Sequence, residues 1–453
     1  MSMGDRWLEV SRLQGRSLGR RGGALLLSSA LALAIGACST GSGNPSHGVG
    51  ATGSSTTRQN AADPTVGREE ALAGVLARRA AALRNHDRAG FVATLDNPSS
   101  GFGLRQLAMF AAVTQLPLSA FSYGTPEPAP ALSAARVEQV GPLAWVSRVA
   151  GSYQIAGFDT APREFESYFT VVRRGSVWKL ADDTDGGSQP QLWDIPNFTV
   201  LRSQTTLVAG SGPATRLRPY LALGDIAVPR VTRVWGAQWK RKIVLVVPDT
   251  AAQMADQIGQ QVASVAQVAA VTDGPFDATG RANADRIFLN PRAFANLQPK
   301  GQQVVVTHES THVAIRSTTD RPVPLWLSEG MADFVGYRDV GVGRREVAAA
   351  LLDRVRAGRG PTGLPGAADF DPSRSTIAPS YNAAWLAVNR IVDRFGLDAL
   401  VRFYRTAATS PNASAQPGDA DINTAAAFQS VLHVSEASFT TDWLSYLRSL
   451  AAS

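Results

Sequence analysis

Residues 308–312 read HESTH and have the types and spacing of a metal-binding motif. On a helix, residues four apart lie one turn from each other with Cβ atoms about 5–6 Å apart. The imidazoles of His308 and His312 can therefore meet one metal ion at about 2.0–2.1 Å each. Glu309 lies about 100° round the helix, where it can face a water molecule beside the ion. The alternative is a buried helix whose two histidines are satisfied by hydrogen bonds.

Residues 325–333 read LWLSEGMAD, and sixteen residues separate His312 from Glu329 in this segment. With the first motif, the segment resembles the gluzincin zinc metallopeptidases, especially the peptidase MA-like group, over about residues 220–450. In that group the glutamate of a W-L-x-E-G-x-A helix is the third zinc ligand. The resemblance implies one zinc ion held by His308, His312 and Glu329. It also implies that Asp333, one turn further on, braces a ligand histidine.

The connection between the two motifs departs from the better-known gluzincins. Sixteen residues is shorter than the spacing in thermolysin-like enzymes or in the large aminopeptidases, which leaves the subfamily open. Asp320, in the connecting segment, is a rival third ligand, although no family pattern surrounds it. For Glu329 the remaining alternative is a solvent-facing carboxylate at the start of a helix.

Two further expectations rest on the resemblance. Tyr381 stands at the start of a predicted helix and matches the tyrosine with which gluzincins often stabilise the oxyanion. A tyrosine that only packs at a helix end is the alternative. The strand RIFLN at residues 286–290 takes the place of the edge strand along which the substrate backbone usually lies.

The resemblance implies peptide-bond hydrolysis with Glu309 as the general base. A zinc ion with three protein ligands lowers the pKa of a bound water molecule towards about 7. Glu309 then accepts the proton and passes it to the leaving amine. The G-x-M-E-N-type strand of aminopeptidases is missing from the sequence, which favours an endopeptidase. The competing hypothesis is a non-catalytic binding lipoprotein of the cell envelope with a degenerate or structural zinc site.

The elements that must position these residues follow from apolar periodicity. KIVLVV at residues 242–247 predicts a buried strand, residues 251–260 a helix and residues 262–271 a further strand-like run. After the strand at 286–290 the pattern predicts helices at 302–316, 325–337, 344–357, 381–395, 397–407 and 436–450. This order predicts an α+β domain over residues 206–453, with a small mixed sheet, an active-site helix and a helical C-terminal part.

An earlier unit is predicted over residues 64–205. One helical stripe comprises Leu72, Val75, Leu76, Ala80 and Leu83, and a second helix is predicted at 104–117. Strand-like runs follow at 144–149, 166–173 and 177–181. Helices followed by a curved antiparallel sheet resemble the cone-shaped nuclear transport factor 2-like fold over about residues 66–200. This part of the resemblance carries no catalytic motif.

The N-terminus has the pattern of an export signal. A basic stretch ends at Arg20-Arg21, and an apolar run at residues 24–37 leads into Cys38, the only cysteine of the chain. The segment IGAC resembles the lipobox of bacterial lipoproteins and implies a lipid anchor on Cys38. We therefore expect a signal peptide at 1–37, a flexible Ser/Gly-rich tether at 38–63, and an exported protein held at the outer face of the cell membrane. An ordinary signal peptide with an incidental cysteine is the alternative.

Charge argues against a nucleic-acid partner. The net charge is +7, of which residues 1–37 contribute +3, so the remaining chain of over 400 residues is only mildly basic. No dense run of lysine and arginine is present, and such a run is the usual footprint of nucleic-acid binding. The expected partners are a peptide or protein substrate and, through the anchor, a membrane.

Overall fold

The computed structural model describes residues 67–371, 377–410 and 414–452. The expected signal peptide, Cys38 and the tether at 38–63 lie outside the described residues. Within them the chain forms helices and two β-sheets, which confirms the predicted α+β class. None of the described helices combines the length and the apolar character needed to cross a membrane.

The first unit places helices against a four-stranded antiparallel sheet of order β1-β2-β3-β4. All five residues of the predicted stripe are buried on its first helix, and the second predicted helix begins at Gly101 and ends at Val113. The elements in chain order are α1 (Arg68–Arg84), α2 (Arg88–Val92), α3 (Gly101–Val113), β1 (Leu118–Pro128), α4 (Ala134–Val140), β2 (Trp145–Ile155), β3 (Arg163–Arg174) and β4 (Val177–Asp182).

Strand β1 is missing from the sequence prediction. Its residues include Gly124, Pro126 and Pro128, which are unfavourable inside a strand. The structure accommodates them because β1 is an edge strand whose register against β2 shifts between Tyr123 and Pro126. Proline is tolerated at such edges and irregularities since its missing N–H leaves no ladder partner unpaired there.

The second sheet is mixed and has the order β5-β6-β7-β9-β8. The pairs β6–β7 and β7–β9 are parallel, whereas the two outer pairs are antiparallel. Its elements are β5 (Phe198–Arg202), β6 (Thr206–Ser211), α5 (Ala214–Trp235), β7 (Ile243–Val247), α6 (Ala251–Gln257), α7 (Val262–Val265), β8 (Ala270–Asp273) and β9 (Arg286–Leu289). The sheet thus begins within the range predicted for the first unit.

Two expectations about this sheet are wrong. The strand predicted at the edge, residues 286–290, is the internal strand β9, and the edge beside it is β8. The run at 262–271 begins as the helix Val262–Val265 and becomes a strand only at Ala270. Short apolar runs fit a helix turn and a strand equally well, and chain order does not reveal which of two paired strands is the outer one.

The second sheet belongs to two hydrophobic cores. Leu207 and Val244 pack in one core with the helices and strands of the first unit, whereas Val208 and Leu245 pack in the core of the C-terminal helices. This division follows from the strand period of two, which points successive side chains to opposite faces. The two units therefore pack against opposite faces of the second sheet.

Charged pairs also join the two units. Arg286 on β9 donates to both carboxylate oxygens of Asp159 at 2.6 and 2.8 Å, and both side chains are 1% exposed. Arg163 on β3 pairs with Asp273 on β8 at 3.1 Å. Losing one partner of a buried pair leaves an uncompensated charge, so these contacts hold the tip of the β2–β3 hairpin against β8 and β9.

The C-terminal part is helical. Helix α5 was not expected, because Pro219 and Pro229 interrupt its pattern, and the range predicted as one helix at 344–357 is divided at Ala348. The elements are α8 (Pro291–Ala295), α9 (Pro299–Arg316), α10 (Leu325–Tyr337), α11 (Arg344–Val347), α12 (Ala349–Arg356), α13 (Ile377–Phe395), α14 (Leu397–Thr409), α15 (Ala420–Leu432) and α16 (Glu436–Ala452).

Candidate metal centre

Helix α9 carries the HESTH motif through the middle of the molecule. It begins with Pro299, a residue suited to the first helical position, and every residue from 303 to 315 is buried. Buried polar groups need partners, and three of its hydroxyl groups donate to carbonyl oxygens one turn earlier. These hydroxyls belong to Thr307, Ser310 and Thr311. The side chains of His308, Glu309 and His312 are left to interact with other elements.

Helix α10 brings Glu329 to this helix through close backbone approach. A Cβ on Gly330 would lie 2.5 Å from the carbonyl oxygen of Ala384 on α13. A Cβ on Gly336 would lie 2.9 Å from Cγ1 and 3.2 Å from the carbonyl oxygen of Val304 on α9. Only glycine permits such short distances. The two glycines thus allow α10 to fit between α9 and α13, with Glu329 directed at the two histidines.

Three ligand atoms converge at one point. The Nε2 atoms of His308 and His312 are 3.1 Å apart, and they lie 3.4 and 3.6 Å from Oε2 of Glu329. Ligand atoms bound to zinc at about 2.0–2.1 Å and at tetrahedral angles would be about 3.3 Å apart. The Oε2 atom is buried and has no hydrogen-bond partner, which is costly unless a cation satisfies it. His308, His312 and Glu329 could therefore hold a metal ion.

Asp333 contacts the outer side of one imidazole. Its Oδ1 lies 2.8 Å from Nδ1 of His308, one helical turn after Glu329. With Nδ1 engaged in this way, Nε2 is the nitrogen that faces Glu329 and His312. Such a contact sets the tautomer and the ring orientation of a ligand histidine. The structure therefore brings Asp333 to the position that the sequence motif implied for it.

The charges of the centre favour its assembly around a cation. Burial alone would lower the pKa of His308, but its contacts with Asp333 and Glu329 outweigh burial and raise it well above the ordinary 6.5. Burial would raise the pKa of Glu329, but the neighbouring imidazoles of His312 and His308 outweigh that effect and lower it. Both pKa shifts follow from the close approach of imidazoles and carboxylates, a negatively charged surrounding that would also favour a bound cation.

Metal affinity is expected to increase with pH and to continue increasing above pH 6.5. Metal binding requires neutral imidazoles, and the raised pKa of His308 means that a proton must leave before the ion can bind. Below that raised pKa the proton competes with the metal, and above it the competition ends. Chelator-competition titrations at several pH values measure the affinity, and calorimetry in two buffers measures the released proton. A flat affinity profile through neutral pH would contradict this expectation.

Glu309 is not part of the three-residue group and has its own partner. Its side chain is 1% exposed, and burial raises the pKa of its carboxyl group, an effect that the nearby imidazoles oppose. Thr272 on β8 donates a hydrogen bond of 2.7 Å to its Oε2. No motif in the sequence singles out Thr272, because only the packing of β8 against α9 brings the two residues together.

The structure places the remaining candidate residues as follows. Tyr381 is buried near the start of α13, and its ring packs edge-on against Phe370 at 5.2 Å. This contact fits the packing alternative, and a role for Tyr381 with the oxyanion stays a prediction. Asp320, the rival ligand, forms ion pairs with Arg281 and Arg321 and lies outside the metal-binding group.

Two tyrosines that the sequence did not highlight also lie near the centre. Tyr337 follows Asp333 by one turn on α10, and burial together with the negative charge of Asp333 raises its pKa well above the ordinary value. Tyr404 on α14 interacts with Ser328, the residue before Glu329. No sequence motif includes a tyrosine at either position, so only the structure shows that Tyr337 and Tyr404 lie near the centre.

Replacing Asp333 by alanine is expected to weaken metal binding by about 10–100-fold, because His308 would lose the contact that orients it. Asp339→Ala is the matched control, since Asp339 lies just beyond the same helix and pairs with Arg233 at the surface. Chelator competition measures both affinities. Equal affinities for Asp333→Ala and the control would show that the contact with His308 has no effect on the centre.

Comparison with models of known protein families and with curated proteins finds no match to this chain.

Proposed function

We propose that this protein is a zinc-dependent metallopeptidase of the gluzincin type. His308, His312 and Glu329 hold the ion, and Glu309 is the general base. The observation that carries the proposal is the convergence of three buried ligand atoms, one of them without a hydrogen-bond partner, near the carboxylate of Glu309, which is not one of the ligands.

The donor set supports zinc and an open site. Two imidazoles and one carboxylate are ligands of catalytic zinc sites, in which three protein ligands leave a fourth position free. Structural zinc sites almost always have four protein ligands, often cysteines. The group found in the described residues has three members, and the only cysteine of the chain, Cys38, belongs to the N-terminal segment.

The residues around the ion would act as follows. A bound zinc ion supplies Lewis acidity towards a peptide carbonyl and lowers the pKa of water. Glu309 accepts a proton from the attacking water molecule and gives it to the leaving amine. Thr272 donates to its Oε2, which leaves Oε1 as the oxygen for that exchange. Asp333 keeps Nε2 of His308 directed at the ion.

A non-catalytic binding role with a structural metal is the second candidate. The observation that favours it is the burial of the centre, since His308, Glu309, His312 and Glu329 are each at most 3% exposed. Side chains buried to this extent present little surface to a peptide substrate. The separate, hydrogen-bonded Glu309 argues for catalysis, because a structural site needs no base. Of the two modes of cleavage we propose endopeptidase action, as the sequence indicated.

Metal analysis and a cleavage assay separate these candidates. The purified protein is analysed for metal content and incubated with a quenched fluorescent peptide library, with and without phenanthroline. One zinc ion per chain and cleavage that phenanthroline stops and added zinc restores are the expected results. Zinc without cleavage of any peptide favours the binding role. A folded protein that takes up no zinc contradicts both forms of the metal site.

Location at the cell envelope is part of the proposal and rests on the N-terminal sequence. The apolar run before Cys38 and the position of that cysteine support lipid anchoring. Mass spectrometry of the mature N-terminus tests it, because an acylated Cys38 would be the first residue. An unmodified Cys38, or a different first residue, would contradict the anchor without affecting the metal centre.

A further inference from the structure

Thr272 holds the carboxylate of Glu309 from outside the active-site helix. Its Oγ1 lies 2.7 Å from Oε2 of Glu309 and 3.1 Å from the backbone oxygen of the same residue, and Thr272 is 3% exposed. A threonine hydroxyl has one proton to donate. The shorter contact ends on a carboxylate, and hydrogen bonds to charged acceptors are the stronger ones. The orientation of Glu309 is thus determined by strand β8.

The position of Thr272 is itself fixed by its neighbours in the chain. Asp273 pairs with Arg163 of the first unit at 3.1 Å. The carbonyl oxygen of Gly274 accepts a hydrogen bond of 2.9 Å from Arg316, at the end of helix α9. Strand β8 is therefore attached both to the helix that carries Glu309 and to the N-terminal unit. Thr272 cannot shift relative to Glu309 without breaking these contacts.

We infer that Thr272 is a positioning residue for the general base, an inference that rests on the proposed peptidase function. By donating to Oε2 it leaves Oε1 as the oxygen that exchanges protons with water and amine. It also keeps the carboxylate from turning to the imidazoles as a further ligand. Misplacement of a catalytic group by about 1 Å can lower a rate by about 10²-fold, so one hydrogen bond at this position has a large effect.

The competing explanation is that Thr272 only satisfies a buried carboxylate and contributes to stability. The two explanations differ in what the hydroxyl group does. A structural hydroxyl affects unfolding and leaves the turnover of the folded enzyme unchanged. A positioning hydroxyl affects kcat in a protein that keeps its fold, its zinc and its KM.

The kinetic test uses Thr272→Val, which removes the hydroxyl at nearly constant shape, and Thr272→Ser, which keeps it. We expect Thr272→Val to lower kcat by roughly 10- to 100-fold with unchanged KM and zinc content, and Thr272→Ser to retain most activity. Thr424→Val is the matched control, since Thr424 is equally buried but bonds only to a carbonyl of its own helix. Full activity of Thr272→Val, or equal losses in the valine and serine variants, overturns the inference.

A second test does not depend on activity. Thr272→Val is introduced into the wild-type protein and into Glu309→Ala, and the thermal unfolding midpoints of the four proteins are compared. We expect the valine substitution to lower the midpoint only when Glu309 is present. Equal shifts in both backgrounds would show that the hydroxyl is not coupled to Glu309. If the shifts differ between the two backgrounds but the wild-type protein cleaves no peptide, the peptidase function and the positioning role are both refuted. The hydrogen bond between Thr272 and Glu309 would still be established.

Discussion

Replacing Glu309 by glutamine is expected to abolish peptide hydrolysis while the protein keeps its zinc. General acid–base catalysis contributes about 10²–10⁴-fold, and a glutamine amide cannot accept the proton. The fold should survive, because the amide oxygen can still accept the hydrogen bond from Thr272. Metal retention is expected because the three ligand atoms belong to other residues. The measurements are kcat/KM on a cleaved peptide and zinc content per chain.

Glu127→Gln is the control for this experiment. Glu127 carries the same side chain on the surface of the first unit, where it pairs with Arg148. Its replacement should change neither turnover nor zinc content. Unchanged turnover in Glu309→Gln would exclude Glu309 as the base. Loss of zinc in the same variant would instead indicate that Glu309 belongs to the metal-binding group.

Replacing Glu329 by alanine is expected to remove tight zinc binding altogether. The substitution deletes the only carboxylate among the three ligands and leaves two neutral ligands, which offset none of the charge of the ion. The loss of affinity should therefore exceed the roughly 10–100-fold expected for an outer contact such as Asp333. Competition with a chromophoric chelator measures the affinity, and peptide cleavage should disappear with the metal.

Asp320→Asn is the informative comparison, because Asp320 is the rival ligand that the sequence left open. The structure engages its carboxylate with Arg281 and Arg321, so zinc affinity should be unchanged in this variant. The opposite pattern, in which Asp320→Asn loses zinc and Glu329→Ala keeps it, would overturn the proposed ligand set. Loss in both variants would point to a general failure of folding, which circular dichroism would detect.

Several features of the centre could be predicted from the sequence because they depend on short-range geometry. The helical period alone places His308 and His312 one turn apart, and the same period places Asp333 one turn after Glu329. The α+β class likewise follows from the change from strand-like runs to helical periodicity around residue 300. Such inferences need no knowledge of which elements pack together.

Helix α5 and strand β1 could not be predicted, because the prolines in each are an unfavourable local signal for the element that forms. Helix α5 forms despite Pro219 and Pro229, since its buried residues contribute to the C-terminal core. Strand β1 forms despite Pro126 and Pro128, since it lies at an edge. In both cases packing in the folded chain outweighs an unfavourable local propensity, and a single sequence does not reveal how much packing each segment gains.

By itself, the sequence determined the two pairs of residues that lie one turn apart on a helix, His308 with His312 and Glu329 with Asp333, because the helical period is local. It also determined the class of fold, because the change from strand-like to helical periodicity is visible in the sequence. Only the tertiary structure decided that β9 is internal and β8 the edge strand, that one sheet serves two cores, and that Thr272 holds Glu309. These contacts join residues far apart in the chain. Strand pairing and the approach of a strand to a helix depend on how all the buried faces fit together. The alternation of polar and apolar residues shows which face of a strand is buried, but it does not show which element packs against that face.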